Sequence, residues 1–121
     1  MISILLIDDD PDVRLMMRRL LEKQGYTVET ASRREEALAK LEEGLPSLIL
    51  LDVLLSGYDG RELCRELKAS LATTHIPVIM FSGHPGAALQ FEAYGADDFL
   101  TKPFNTDVLL EKLNRHLKMV Q

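Results

Sequence analysis

The chain has 121 residues, 46% of them hydrophobic and 27% charged, and 14 Lys and Arg against 19 Asp and Glu leave a net charge of −5. That length suits one domain, and the apolar share excludes a disordered chain. The acidic balance argues against nucleic acid as a direct ligand, because gripping a phosphate backbone takes a basic surface. Cys64 is the lone cysteine. It can form no internal disulfide, and without a Cys/His cluster there is no structural zinc site. It reads as a small helix residue. The first residues lack a charged leader and meet Asp8 too early for a signal peptide. The apolar runs fall far short of the ~20 residues that span a bilayer. The expectation is a soluble protein with no membrane partner, in a reducing cytoplasm. One unevenness stands out: Asp8, Asp9, Asp10 and Asp12 fall within five positions.

Residues 2–7 are a nearly unbroken Ile/Leu run, which predicts a strand buried on both faces. Residues 11–24 place Val13, Met16, Met17, Leu20 and Leu21 at helical spacing, with Pro11 in the first turn and Gly25 as the stop. The Met16-Met17 pair reads as core. Residues 26–31 alternate like a strand. Ser32 and Glu35 make an S-x-x-E capping box for a second helix, with Ala37, Leu38 and Leu41 inward up to Gly44. A third strand over 48–51 ends at Asp52. A helix over 60–70 buries Leu63 and Leu67, and a fourth strand over 77–81 runs into Ser82-Gly83. A weakly patterned helix follows over about 87–94 and stops at Gly95. A short strand over 99–101 is broken by Lys102-Pro103. Asn105 then caps a last helix with Leu109, Leu110, Leu113 and Leu117 inward. His75, His84 and His116 share no ligand spacing and read as surface residues.

Five buried strands alternating with five helices predict an α/β fold with a parallel sheet covered on both faces. A doubly wound sheet places its ligand site beyond the carboxyl ends of the strands. Asp8, Asp9 and Asp10 follow the first strand, Asp52 the third, Ser82 the fourth and Lys102 the fifth. Alone, Asp8–Asp12 would be a strand-to-helix turn rich in capping acids, and Asp10 is best read as the cap. Together these positions converge on one rim. Two carboxylates ~4 Å apart near a surface repel by about 4 kcal/mol at an effective dielectric of 20, so the cluster calls for a cation. Oxygen donors without His or Cys select a hard ion, Mg²⁺ first. A lysine and a serine beside such a site suit phosphate, and a carboxylate there can become an aspartyl phosphate. The set reads as phosphoryl transfer onto Asp52.

Other patterns fail. An EF-hand loop starting at Asp8 would need Gly at Val13 and Glu at Arg19. Asp8-x-Asp10 imitates the nucleophile pair of haloacid-dehalogenase-type phosphatases, but Asp12 stands where Thr or Val is usual. There is no Walker A sequence and no G-x-G-x-x-G.

The blocks LLIDDDPDVR, LILLDVLLSGYDG, VIMFSG and FLTKPF resemble, in order and spacing, the signature blocks of the receiver domain of two-component response regulators. The resemblance covers residues 1–121 as one domain. It implies a flavodoxin-like (βα)5 fold with a five-stranded parallel sheet of order 2-1-3-4-5. It implies that Asp52 accepts phosphoryl from a sensor histidine kinase or a phosphotransfer protein, and that Asp8, Asp9, Asp52 and the Leu54 backbone carbonyl hold Mg²⁺. Lys102 corresponds to the lysine that binds phosphoryl oxygens. Ser82 corresponds to the hydroxyl that swings toward them, and Phe99 to the aromatic that follows it inward. Lys102-Pro103 matches a bond usually cis in the family.

The implied role is a signalling domain that catalyses only its own phosphorylation and dephosphorylation. It would control an output domain or partner, or a homodimer, through the face of the fourth helix, fifth strand and fifth helix. A non-phosphorylated interaction module on the same fold, or a small Mg²⁺-dependent phosphatase, are the rival readings. No helix-turn-helix or catalytic block follows the last helix, so the output, and whether the chain stands alone or belongs to a longer one, is not named by the sequence. Ser56 stands where proline is usual, and Gly83 where alanine is. Leu54 and His84 stand where family side chains tune hydrolysis. The apolar Leu54 cannot orient a water, which predicts a long-lived aspartyl phosphate; a half-life of seconds for the phosphorylated protein in Mg²⁺ would contradict it.

Overall fold

The computed structural model describes residues 2–55, 57–84, 86 and 91–118. β1 (Ser3–Ile7), β2 (Thr27–Ala31), β3 (Leu48–Asp52), β6 (Val78–Ser82) and β7 (Asp98–Thr101) form one parallel sheet of order β2-β1-β3-β6-β7. This is the expected order. Two more strands, β4 (Leu54–Leu55) and β5 (Tyr58–Asp59), make a small antiparallel hairpin between β3 and α3. The helices are α1 (Pro11–Lys23), α2 (Arg34–Glu43), α3 (Gly60–Ala69) and α4 (Thr106–Lys118).

The sheet is apolar on both faces because both faces are covered. Side chains alternate along a strand, so β1 sends Leu5 and Ile7 to one side and Ile4 and Leu6 to the other. Leu5 and Ile7 pack with Ile49, Leu51 and the inner faces of α2 and α3, including Leu63, Cys64 and Leu67. Ile4 and Leu6 pack with Leu50, Phe81, Met17 and Leu21 of α1, and Leu109 and Leu113 of α4. Cys64 is fully buried, and burial pushes its thiol up to about 11. No described helix is long and apolar enough to cross a membrane.

Local chemistry sets where the helices start and stop. Asp10 caps α1, its Oδ1 accepting from the Asp12 N–H at 2.9 Å, with Pro11 in the first turn. At the other end the Gly25 N–H donates to the Glu22 carbonyl and the Tyr26 N–H to the Leu21 carbonyl, with Gly25 at φ 96°. That is a Schellman closure, which needs the left-handed conformation glycine supplies. Asn105 caps α4, its Oδ1 accepting from the Asp107 N–H at 2.7 Å.

Several expectations are corrected. α2 begins one residue later than the capping box implied. Arg33 is its N-cap without a side-chain bond, and Glu36, not Glu35, accepts from the Ser32 N–H. Of the methionine pair only Met17 is core; Met16 is 52% exposed, because adjacent positions on a helix point about 100° apart. His116 is no surface residue. Its side chain is 14% exposed and its Nε2 lies 2.9 Å from Asp98 Oδ2. Burial pushes the Asp98 carboxyl up, but bonds from Lys112, His116 and the Phe99 N–H outweigh it and hold the group below its ordinary value. Where a helix was expected over about 87–94, Phe91–Tyr94 forms a 3-10 turn, and 87–90 lie outside the described residues. Ser56 also lies outside them.

One close approach locks the start of α3 to the end of β3. A Cβ on Gly60 would sit 2.0 Å from the Asp52 carbonyl oxygen, while one on Gly44 would meet nothing within 4 Å. Gly60→Ala is expected to lower stability by about 2–3 kcal/mol through forced backbone displacement, and Gly44→Ala to change it by under about 0.5 kcal/mol. Urea unfolding of the two variants checks this.

Candidate functional site

The carboxyl ends of the sheet strands gather the predicted residues. Asp8 directly follows β1, Asp52 and Ser82 are the last residues of β3 and β6, and Lys102 directly follows β7. Asp8 is fully buried and Asp52 and Ser82 nearly so. Oxygens of Asp8, Asp9 and Asp52 lie within 4.8 Å of one another, a grouping able to hold a metal ion. The donors are all carboxylate oxygens, which fits a hard divalent cation such as Mg²⁺ and not a soft metal.

The Asp8 and Asp52 carboxylates are both held. Asp8 Oδ1 accepts from the Asp10 N–H at 2.9 Å, which ties it to the residue that caps α1. Asp8 Oδ2 accepts from Lys102 Nζ at 3.2 Å, and Asp52 Oδ2 lies 3.6 Å from the same ammonium. Asp52 Oδ1 receives the Leu54 N–H at a long 3.4 Å. Lys102 thus sits between two buried acids. Phe81 lies beneath it, with its ring centroid 4.7 Å from Nζ. That aromatic face attracts the ammonium and helps hold it beside the acids.

Burial first, and then the neighbouring Asp8 carboxylate, push the Asp52 carboxyl up to about 6, against the pull of Lys102 and the Leu54 N–H. An acid that resists ionising is a carboxylate in need of a cation.

The remaining candidates are placed as follows. Ser82 Oγ accepts from the His84 N–H at 3.0 Å, and the Lys102 N–H donates to the Ser82 carbonyl at 2.8 Å, which joins the two rim residues through backbone. Among the described residues a Cβ on Gly83 would meet Lys102 Cβ at 3.7 Å, an ordinary contact that alanine tolerates. Phe99 is buried, its ring centroid 6.0 Å from that of Phe91. The Lys102-Pro103 bond is cis. Leu54 is 58% exposed on the hairpin, so its side chain leaves the pocket while its backbone faces Asp52.

Three contributors were not singled out from the sequence. Phe81, the residue before Ser82 in VIMFSG, carries no signal beyond its place in the fourth strand. Arg14 Nη1 donates to the Asp8 carbonyl at 2.7 Å, and nothing in its helical spacing signalled this. The β4–β5 hairpin carried a signal, the turn dipeptide Ser56-Gly57 between two short runs.

A carboxyl raised in the fold costs stability once it must ionise. Asp52 goes from an ordinary 3.8 to about 6 on folding. The cost is therefore absent below the ordinary value, grows between the two and is complete above about 6. Asp52→Asn removes it. The metal-free variant is expected to melt roughly 5–10 °C above wild type at pH 7, with the gap narrowing from pH 6 toward pH 4. Thermal melts across that range check it.

The description "Response regulator receiver domain" fits residues 4–114. Over 118 residues the chain is 36% identical to the "Phosphate regulon transcriptional regulatory protein PhoB" of Rhizobium meliloti, covering 96% of this chain and 52% of that protein. The chain thus spans about half the length of the curated relatives it matches. A solved signal receiver domain of a signal transduction histidine kinase from Syntrophus aciditrophicus is 35% identical, with a TM-score of 0.92 over 100% of this chain and 93% of that one. The receiver domain of NtrX from Brucella abortus is also 35% identical, with a TM-score of 0.88 over 95% and 98%. With the sheet order, the acid rim and the four blocks all agreeing, the chain belongs to the receiver domain family of two-component response regulators.

Proposed function

We propose that residues 1–121 act as one phosphorylation-switched receiver, with Asp52 as phosphoacceptor. The observation that carries this reading is the position of the Asp52 carboxylate. It is buried at a strand end, beside a second buried acid and 3.6 Å from Lys102. Asp8, Asp9, Asp52 and the Leu54 carbonyl would hold Mg²⁺, whose charge offsets that of the phosphoryl oxygens.

The chain's own residues do the rest. An Asp52 carboxylate oxygen attacks the phosphorus of a histidine kinase's or phosphotransfer protein's phosphohistidine. The phosphorus–nitrogen bond breaks and the histidine leaves with its electron pair. The product carries about −1.5 to −2 charge at pH 7. Lys102 turns from the carboxylates to the new oxygens, and Ser82 Oγ leaves the His84 N–H to donate to them. Phe99 then repacks against Phe91, and the surface of the 91–94 turn, β7 and α4 changes for a partner, an output domain or a second copy. Aspartyl phosphate, fed by a kinase that uses ATP, and a lone reduced thiol suit the cytoplasm.

Incubation with Mg²⁺ and a small acyl-phosphate donor tests the reading. Wild type is expected to gain one acid-stable, hydroxylamine-labile phosphate, and Asp52→Asn none. An unlabelled wild type favours an interaction module that works without phosphate, and turnover of many equivalents of a soluble ester favours a phosphatase.

A further inference from the structure

The backbone around Leu54 lies on a hairpin that its own ladder cannot hold. Each strand has two residues, with Leu54 opposite Asp59 and Leu55 opposite Tyr58. A two-stranded hairpin of this size is marginal in water without outside support. Leu55 is anchored in the core, and further support comes from the side. The Tyr58 hydroxyl donates to Glu66 Oε1 on α3. Glu66 also receives Arg34, at the first residue of α2, through Nε at 3.1 Å and Nη2 at 2.7 Å. The Arg34 guanidinium closes the arrangement by lying 5.4 Å from the Tyr58 ring centroid. Arg34 first, with Tyr58 assisting against burial, holds the Glu66 carboxyl below its ordinary value, so it stays an ionised acceptor. A fork from arginine and a hydroxyl on the same carboxylate define one geometry. Three elements, the hairpin, α2 and α3, are pinned at a single point beside the acid rim.

We propose that Tyr58, Glu66 and Arg34 are positioning residues that set the Leu54 backbone against Asp52 and so set the pocket's affinity for a divalent cation. This rests on the reading of Asp52 and the Leu54 carbonyl as parts of a metal-assisted phosphoacceptor. The clamp touches neither the metal nor the phosphoryl group. It acts through the hairpin, whose Leu54 N–H already reaches Asp52 Oδ1 only at 3.4 Å. A small displacement is therefore enough to lose that contact. Glu66 and Arg34 are each about a third exposed, and pairs of that kind contribute little to global stability. The clamp's effect belongs to local geometry.

The test uses the full chain as wild type, Tyr58→Phe and Glu66→Gln. Calorimetric titration with Mg²⁺ gives affinity, hydrogen exchange of the metal-free protein gives protection over 54–59, and acyl-phosphate labelling at saturating Mg²⁺ gives the maximal rate. Tyr58→Phe is expected to weaken Mg²⁺ binding roughly three- to tenfold, the range one hydrogen bond supplies. Exchange over 54–59 should speed up while the maximal labelling rate and the melting midpoint stay near wild type. Glu66→Gln keeps an amide oxygen for the Tyr58 hydroxyl but breaks the fork with Arg34, so it should weaken Mg²⁺ binding by a factor comparable to that of Tyr58→Phe. Wild-type affinity and wild-type exchange in Tyr58→Phe overturn the proposal alone. A wild type that neither binds Mg²⁺ nor takes phosphoryl overturns the phosphoacceptor reading and this inference with it. Equal losses of affinity and of melting midpoint would mark the clamp as structural support and also overturn it.

Discussion

Two carboxylates, Asp8 and Asp52, are buried side by side with one ammonium between them. The arrangement is expensive. Taking a carboxylate out of water is unfavourable, and a second one nearby makes it worse. Lys102 offsets only part of this, as the raised Asp52 shows. The fold tolerates the cost because so much else is well made. Strands buried on both faces and four covering helices hold the rim regardless of what the acids prefer. A site that is electrostatically unsatisfied in this way is one that takes up positive charge readily.

Much of this was legible because the signals were local. Apolar runs marked β1, β3 and β6, alternation marked β2, a short segment ended by Lys102-Pro103 marked β7, and an ordered set of polar residues at the strand ends marked the rim. Asp10, Pro11, Gly25 and Asn105 each carry a backbone rule that works without knowledge of the rest of the chain. The doubly wound sheet then followed from alternation, and the rim from the sheet.

What escaped was set by tertiary packing. Helical periodicity admitted both Met16 and Met17, and only the width of the buried stripe decides between them. His116 looked like a surface residue because its partner, Asp98, is on another element. Glu36 replaced Glu35 because α2 starts one residue later than its capping pattern suggested, and such boundaries are the weakest part of any reading from pattern. Phe81 reads only as the end of the fourth strand; that its ring also seats Lys102 depends on where the segment after β7 runs. For His116 and Phe81 the missing information was a neighbour distant in sequence.

The absence of any side chain on Gly60 has a mechanical meaning. The first turn of α3 rests directly on the backbone of Asp52, with no space for even a methyl group. This makes the α3 side of the rim a stiff wall. At the end of β6, by contrast, a Cβ on Gly83 would lie 3.7 Å from Lys102 Cβ, an ordinary contact among the described residues. The two glycines thus differ in kind: one is required by a backbone contact, and the other leaves its strand end free to carry a side chain.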